Sequence, residues 1–229
     1  MANRTAALAL VCITMALPAI SQNKIDNRLG DSAEVLSQIL AKPDEIPKQL
    51  LNRARCVLVF PAVKKVAVGI GGTYGRGTIV CRTGTNLTGP WSAPAMYKLN
   101  VASLGVQLGS TSTDYVLLVQ TPLGVEKILS GKLKLGAECT AAAGPSGAKA
   151  VGANDTNIDV LTYSRTSGLF AGASLGSADL STDDDANKAV YGKDITANQI
   201  VREGAVQTTA SGQRLVRVLT KASPKWSGS

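Results

Sequence analysis

Residues 55 to 82 read RCVLVFPAVKKVAVGIGGTYGRGTIVCR, and this stretch decides the fold class. Short runs rich in Val, Ile and Leu (Cys56 to Phe60, Val66 to Gly71, Thr78 to Arg82) are punctuated by glycine, the pattern of strands joined by tight turns. Outward from there it continues at Met96 to Leu108, Tyr115 to Gln120, Leu133 to Ala142, Ala148 to Ala153, Ile158 to Tyr163 and Leu169 to Leu180. Too few helices intervene for repeated βαβ units, so the sheet is expected to be mainly antiparallel. Glycines within apolar runs (Gly69, Gly71, Gly105, Gly109, Gly172, Gly176) point to bulges or close backbone approach in a curved or barrel-like sheet.

Helices flank this core. Ile25, Leu29, Ala33, Leu36 and Leu40 recur at helical spacing, predicting a helix from Asp26 to Ala41 that stops at Lys42-Pro43. A short helix follows at Pro47 to Ala54, and Thr121-Pro122 opens another to Leu129. Ser181-Thr182-Asp183-Asp184-Asp185 reads as a capped start for a helix to Tyr191 rather than as a calcium loop, whose ordered spacing it lacks. Asp194-Ile195-Thr196 begins one more, to Glu203, and Gln213 to Thr220 is the last ordered segment. The expected fold class is α+β: a single domain with a curved or barrel-like, mainly antiparallel sheet, N-terminal helices and short helices packed on it.

Met1 to Ser21 carries Arg4, an uncharged apolar stretch from Ala6 to Ala19, and small residues before Gln22, the three parts of a signal peptide. The expected division is a signal peptide at 1–21, a domain at 22–222 and a loose tail at 223–229, in a secreted or periplasmic chain. Cys56, Cys81 and Cys139 remain after cleavage; without the close spacing of a metal or redox site they read as buried small hydrophobes, with one disulfide in an oxidising compartment as the alternative.

The chain has no histidine, which removes Ser-His-Asp and Cys-His couples and imidazole metal ligands. No cofactor is expected. From Ile46 to Thr113 there are eight bases and no acid, whereas Asn154 to Asp185 carries six acids against Arg165. Such asymmetry favours a polyanionic surface as partner. Nucleic acid is not expected: only nine residues are aromatic, and no helix-turn-helix or zinc-finger spacing is present. The run from Val68 to Gly77 fails as a phosphate loop, because Thr78 stands where lysine is required. It reads instead as a hairpin with glycines at positive φ and Arg76 at its tip.

Six motifs in order resemble the SYLF-domain family. They are Cys56-Val57-Leu58-Val59-Phe60-Pro61; Gly89-Pro90-Trp91-Ser92-Ala93-Pro94; Gly105-Val106-Gln107-Leu108-Gly109 with Thr113 to Leu118; Lys134-Leu135-Gly136 with Ala142 to Gly147; Tyr163 to Gly172; and Asp185-Ala186-Asn187 with Tyr191-Gly192. The resemblance implies a compact, non-catalytic domain that binds phosphoinositides or other acidic phospholipids, with actin binding in cytosolic eukaryotic members. Given the leader, an acidic phospholipid membrane surface is the expected partner and actin is not; a module binding an acidic protein or glycan is the alternative. Charge density selects Lys64, Lys65, Arg76, Arg82, Lys127, Lys132 and Lys134, with Arg165 beside them, as candidate headgroup contacts.

Overall fold

The computed structural model describes residues 19–41, 46–66, 72–102, 112–144, 158–166, 169–172, 175 and 178–227. The leader as far as Pro18, the expected strand at Ala148 to Ala153 and the glycines at 69, 71, 105, 109 and 176 lie outside these residues.

Among the described residues, nine strands form one sheet: β1 (Cys56–Val66), β2 (Gly72–Cys81), β3 (Ala95–Ala102), β4 (Ser112–Val119), β5 (Lys132–Lys134), β6 (Ala141–Ala143), β7 (Val160–Thr166), β8 (Leu169–Gly172) and β9 (Ala178–Thr182). Their order is β5-β9-β3-β2-β1-β4-β7-β6, with β8 also on β7. Every pairing is antiparallel except β6 with β7. The two ends of this order, β5 and β6, are joined by a short turn bridged at Leu135 and Cys139. The sheet therefore curls almost closed, in agreement with the curved or barrel-like form expected.

Strand alternation divides the apolar side chains between two cores. Leu58, Phe60, Ile79, Tyr97, Leu99, Leu117 and Leu180 fill the inside of the curl. Val57, Val59, Val80, Val116 and Leu118 point outward, under α1 (Ala19–Leu40) and α6 (Ala210–Ala222). On α1 the stripe Ile25, Leu29, Ala33, Leu36 and Ile39 is buried, and on α6 Leu215 and Leu219. Each such Leu or Ile contributes about 2 kcal/mol.

The shorter helices are α2 (Lys48–Arg53), α3 (Pro122–Leu129), α4 (Asp184–Tyr191) and α5 (Ala197–Val201). Local chemistry sets several starts: Thr121 Oγ1 accepts from Gly124 N at 3.0 Å, Thr196 and Gln199 form a capping box, and Thr209 caps α6.

Strand β1 is broken by a bulge at Pro61-Ala62, where its register against both β2 and β4 shifts and Ala62 adopts φ 47°. Before the bulge the even residues face the inner core; after it Val63 does, and Lys64 turns outward. A Cβ on Gly77 would lie 2.1 Å from Val59 O, and one on Gly75 would lie 2.6 Å from Val63 Cγ2. These glycines make room for the bulged strand. They are not the positive-φ residues of a turn, and Arg76 stands within β2 rather than at a hairpin tip.

Two further expectations are corrected. Cys56 and Cys81, directly paired across β1 and β2, form a disulfide, leaving Cys139 as the free thiol among the described residues, buried. Their sequence separation of 25 hid a pairing that the antiparallel register makes adjacent. The segment from Ser223 is also anchored: Ser223 is buried, Trp226 Nε1 donates to Arg53 O at 3.2 Å, and Ser227 N donates to Asn52 O at 3.1 Å.

Candidate functional site

Register alone assembles a basic surface. Lys132, Ser181, Lys98 and Arg76 are successive cross-strand partners along β5, β9, β3 and β2. Lys134, Asp179, Asn100, Tyr74 and Lys64 form the adjacent row, which reaches β1. Residues two apart on a strand share a face, so both rows lie on the side that α1 covers further along. Beside them the first turns of α1 complete a groove of about 490 Å³ lined by Lys24, Arg28, Lys64, Tyr74 and Arg76. A second hollow of about 320 Å³ lies among Asn100, Lys132, Lys134 and Asp179.

One buried carboxylate organises this surface. Asp183, 2% exposed, lies 2.9 Å from Arg28 Nη1, 3.1 Å from Lys98 Nζ and 3.9 Å from Arg76 Nε. Burial raises its proton affinity, but bonds from Arg28 and Lys98 outweigh that and hold the carboxyl below its ordinary range. The side chain expected to cap α4 is thus spent on bases from three elements and makes no cap hydrogen bond. Asp183 N also donates to Met96 O, while Asn187 Oδ1 accepts from Met96 N, fixing the start of α4 to β3. Tyr74, exposed, faces Arg76, whose guanidinium lies 5.8 Å from the ring; the hydrogen bond to Tyr74 raises the Arg76 pKa.

The eight bases selected from sequence do not share one environment. Lys64, Arg76, Lys132 and Lys134 are exposed on the two rows. Lys65 pairs with Thr73 through the backbone, and its side chain lies outside the described set. Arg165 is on the same face but bonded to Asp114 and to Gln38 of α1. Lys127 is on α3, donating to Glu138 O.

Arg82 must be withdrawn as a surface contact: it is 0% exposed, stacked 4.1 Å from the Trp91 ring centroid, and its Nη2 donates to Ser223 O at 2.9 Å and Ser223 Oγ at 2.6 Å. The C-terminal segment covers it, and burial lowers its pKa to about 10. Charge density along the chain missed Lys24 and Arg28, which follow each other at one helical turn on α1, and passed over Lys98, which the strand alternation with Arg76 could have found.

A separate polar hollow of about 480 Å³ near Asp159 and Cys139 holds side chains already engaged. Asp159 accepts from Thr121 Oγ1 and from both Thr140 N and Oγ1. Burial and Asp159 push the Cys139 thiol up to about 12, so it is protonated at neutral pH.

Among curated proteins the chain is 34% identical over 187 residues to the SH3 domain-containing protein PJ696.02 of Schizosaccharomyces pombe, covering 80% of this chain and 42% of that one. It is 30% identical over 212 residues to LAS seventeen-binding protein 3 of Saccharomyces cerevisiae, covering 86% and 45%. The human SH3 domain-containing YSC84-like protein 1 is 28% identical over 217 residues, covering 89% and 62%. The chain thus spans less than half the length of the first two. No solved structure matches significantly. Residues 100–222, more than half the chain, match the family model Ysc84, described as Las17-binding protein actin regulator, and with the ordered motifs above this places the chain in the Ysc84, or SYLF, family.

Proposed function

We propose that this chain is a non-catalytic SYLF-type domain that associates peripherally with acidic phospholipid, phosphoinositides included, through the outward sheet face carrying Lys64, Arg76, Lys98, Lys132 and Lys134 and through Lys24 of α1, with Arg28 buried behind them against Asp183. The observation that carries the reading is the register: residues far apart in sequence become neighbours in two cross-strand rows. Seven bases, the buried Arg28 among them, lie there against Asp31, Asp179, Asp183 and Asp185. At about 1 kcal/mol per uncompensated base near an anionic surface, charge supplies roughly millimolar affinity. The groove beside α1 offers a place for a headgroup to gain the remainder by direct contact.

Export accompanies this reading. The leader pattern of residues 1–21 supports it, as does the Cys56–Cys81 disulfide, since such bonds persist in oxidising compartments. A secreted or periplasmic domain meets acidic glycerophospholipids rather than actin, the partner class in the family description.

Vesicle sedimentation tests the proposal. The domain is expected to pellet with vesicles containing phosphatidylglycerol and not with phosphatidylcholine alone, and to be released by salt. Lys64→Glu with Lys132→Glu, both exposed positions, is expected to weaken pelleting about tenfold without changing the melting temperature. Equal pelleting with neutral vesicles would overturn it.

A further inference from the structure

On the far half of α1, away from the Lys24–Arg28 groove, α1 and α6 enclose a second groove of about 470 Å³. Its floor is apolar: Leu40 from α1, and Val218 and Ala222 from α6, all only partly buried. One wall is basic. Arg214, Arg217 and Lys221 follow each other along α6, all exposed. Glu34 bonds Arg214, whereas among the described residues Arg217 and Lys221 have no carboxylate within ion-pair distance, Arg217 touching only Gln213 Oε1 at 3.4 Å.

We infer that this groove is a docking site for an acidic amphipathic helix of a partner protein. Two features of the molecule select that occupant. The bases span eight residues of α6, about 10 Å of rise, so acids on successive turns of an approaching helix meet Arg217 and Lys221 and lie beside the Glu34-bonded Arg214. The apolar strip lies between two helices, where an approaching helix can seat a row of side chains. Charge complementarity would then set partner sign and association rate, and burial of Leu40, Val218 and Ala222 would supply the holding energy. This site is distinct from the basic sheet face and does not depend on lipid binding.

Fluorescence anisotropy with a labelled leucine–glutamate peptide tests it, the glutamates being placed one helical turn apart beside a leucine stripe. A scrambled peptide of the same composition is the control. Saturable micromolar binding of the patterned peptide alone is expected, weakened about tenfold or more by Arg217→Glu with Lys221→Glu and by Val218→Asp, and unchanged by Lys64→Glu with Lys132→Glu. Equal binding of the scrambled peptide, or no effect of the α6 variants, would overturn the inference. Loss of vesicle binding rather than of peptide binding in the α6 variants would overturn it too, by assigning the helix to the membrane.

Discussion

Arg76 and Arg82 sit six residues apart on one side of the same ribbon of chain, yet one is exposed and the other is wholly enclosed. The difference lies in what crosses over each. At the closed end Trp91, bridged to Arg82, and the segment from Ser223 cover the guanidinium with an aromatic face and carbonyl oxygens. At the open end the first turns of α1 and Asp183 stand beside Arg76 without covering it, and the bulge at Ala62 turns Lys64 out next to it. Residue type and strand parity are the same at both positions; cover alone separates a buried clamp from an exposed base.

Removing the clamp should have the largest effect. Arg82→Ala leaves Ser223 Oγ and the Gly89 and Pro224 carbonyls without their donor and Trp91 without its stacking partner. A loss of about 3 kcal/mol or more is expected in urea denaturation, whereas Arg76→Ala should change stability by less than about 0.5 kcal/mol. Similar losses for both would erase the contrast.

Next in size is the disulfide that ties β1 to β2 at the same closed end. Replacing Cys56 and Cys81 together by Ala is expected to cost about 3 kcal/mol, somewhat under the loop-closure value of about 3.5 kcal/mol for a separation of 25 residues. Wild type treated with a reductant should approach the variant's midpoint, and an unchanged midpoint would show that the strands need no crosslink.

Asp183→Asn sharpens the open end. Loss of the buried carboxylate from Arg28 and Lys98 is expected to cost about 2 kcal/mol at neutral pH. Because the folded carboxyl titrates below the unfolded one, its contribution is full above about pH 4 and disappears as pH falls through the lower, folded value. Wild type should therefore lose its advantage over the variant on acidification, as read by melting temperature against pH. A constant gap would remove Asp183 as the anchor of these bases.

The smallest effect concerns the bulge. Ala62 holds φ 47°, which glycine adopts without strain, so Ala62→Gly should stabilise by about 1 kcal/mol and leave vesicle binding intact. Destabilisation would mean that the Ala62 methyl group supports the bulge.

Much of the fold was legible because it depends on local chemistry. The β1 run from Cys56, the capped start of α3 at Thr121-Pro122 and the stripe of α1 all formed where alternation, capping and helical spacing placed them. The turn expected around Gly75 and Gly77 was misread, since glycine's absence of a side chain serves close approach as readily as positive φ. Asp183 was misread for a related reason: a cap needs only neighbours in sequence, whereas its bases arrive from α1, β2 and β3.

Composition by itself ruled out histidine chemistry, and alternation and helical spacing dictated a mainly antiparallel sheet with one flanking helix stripe, because those properties are carried by residues within a few positions of one another. Which bases meet, which are covered and which cysteines join was decided by register and by the path of the C-terminal segment. Those contacts link residues as distant as Arg82 and Ser223, and no local pattern encodes such a distance.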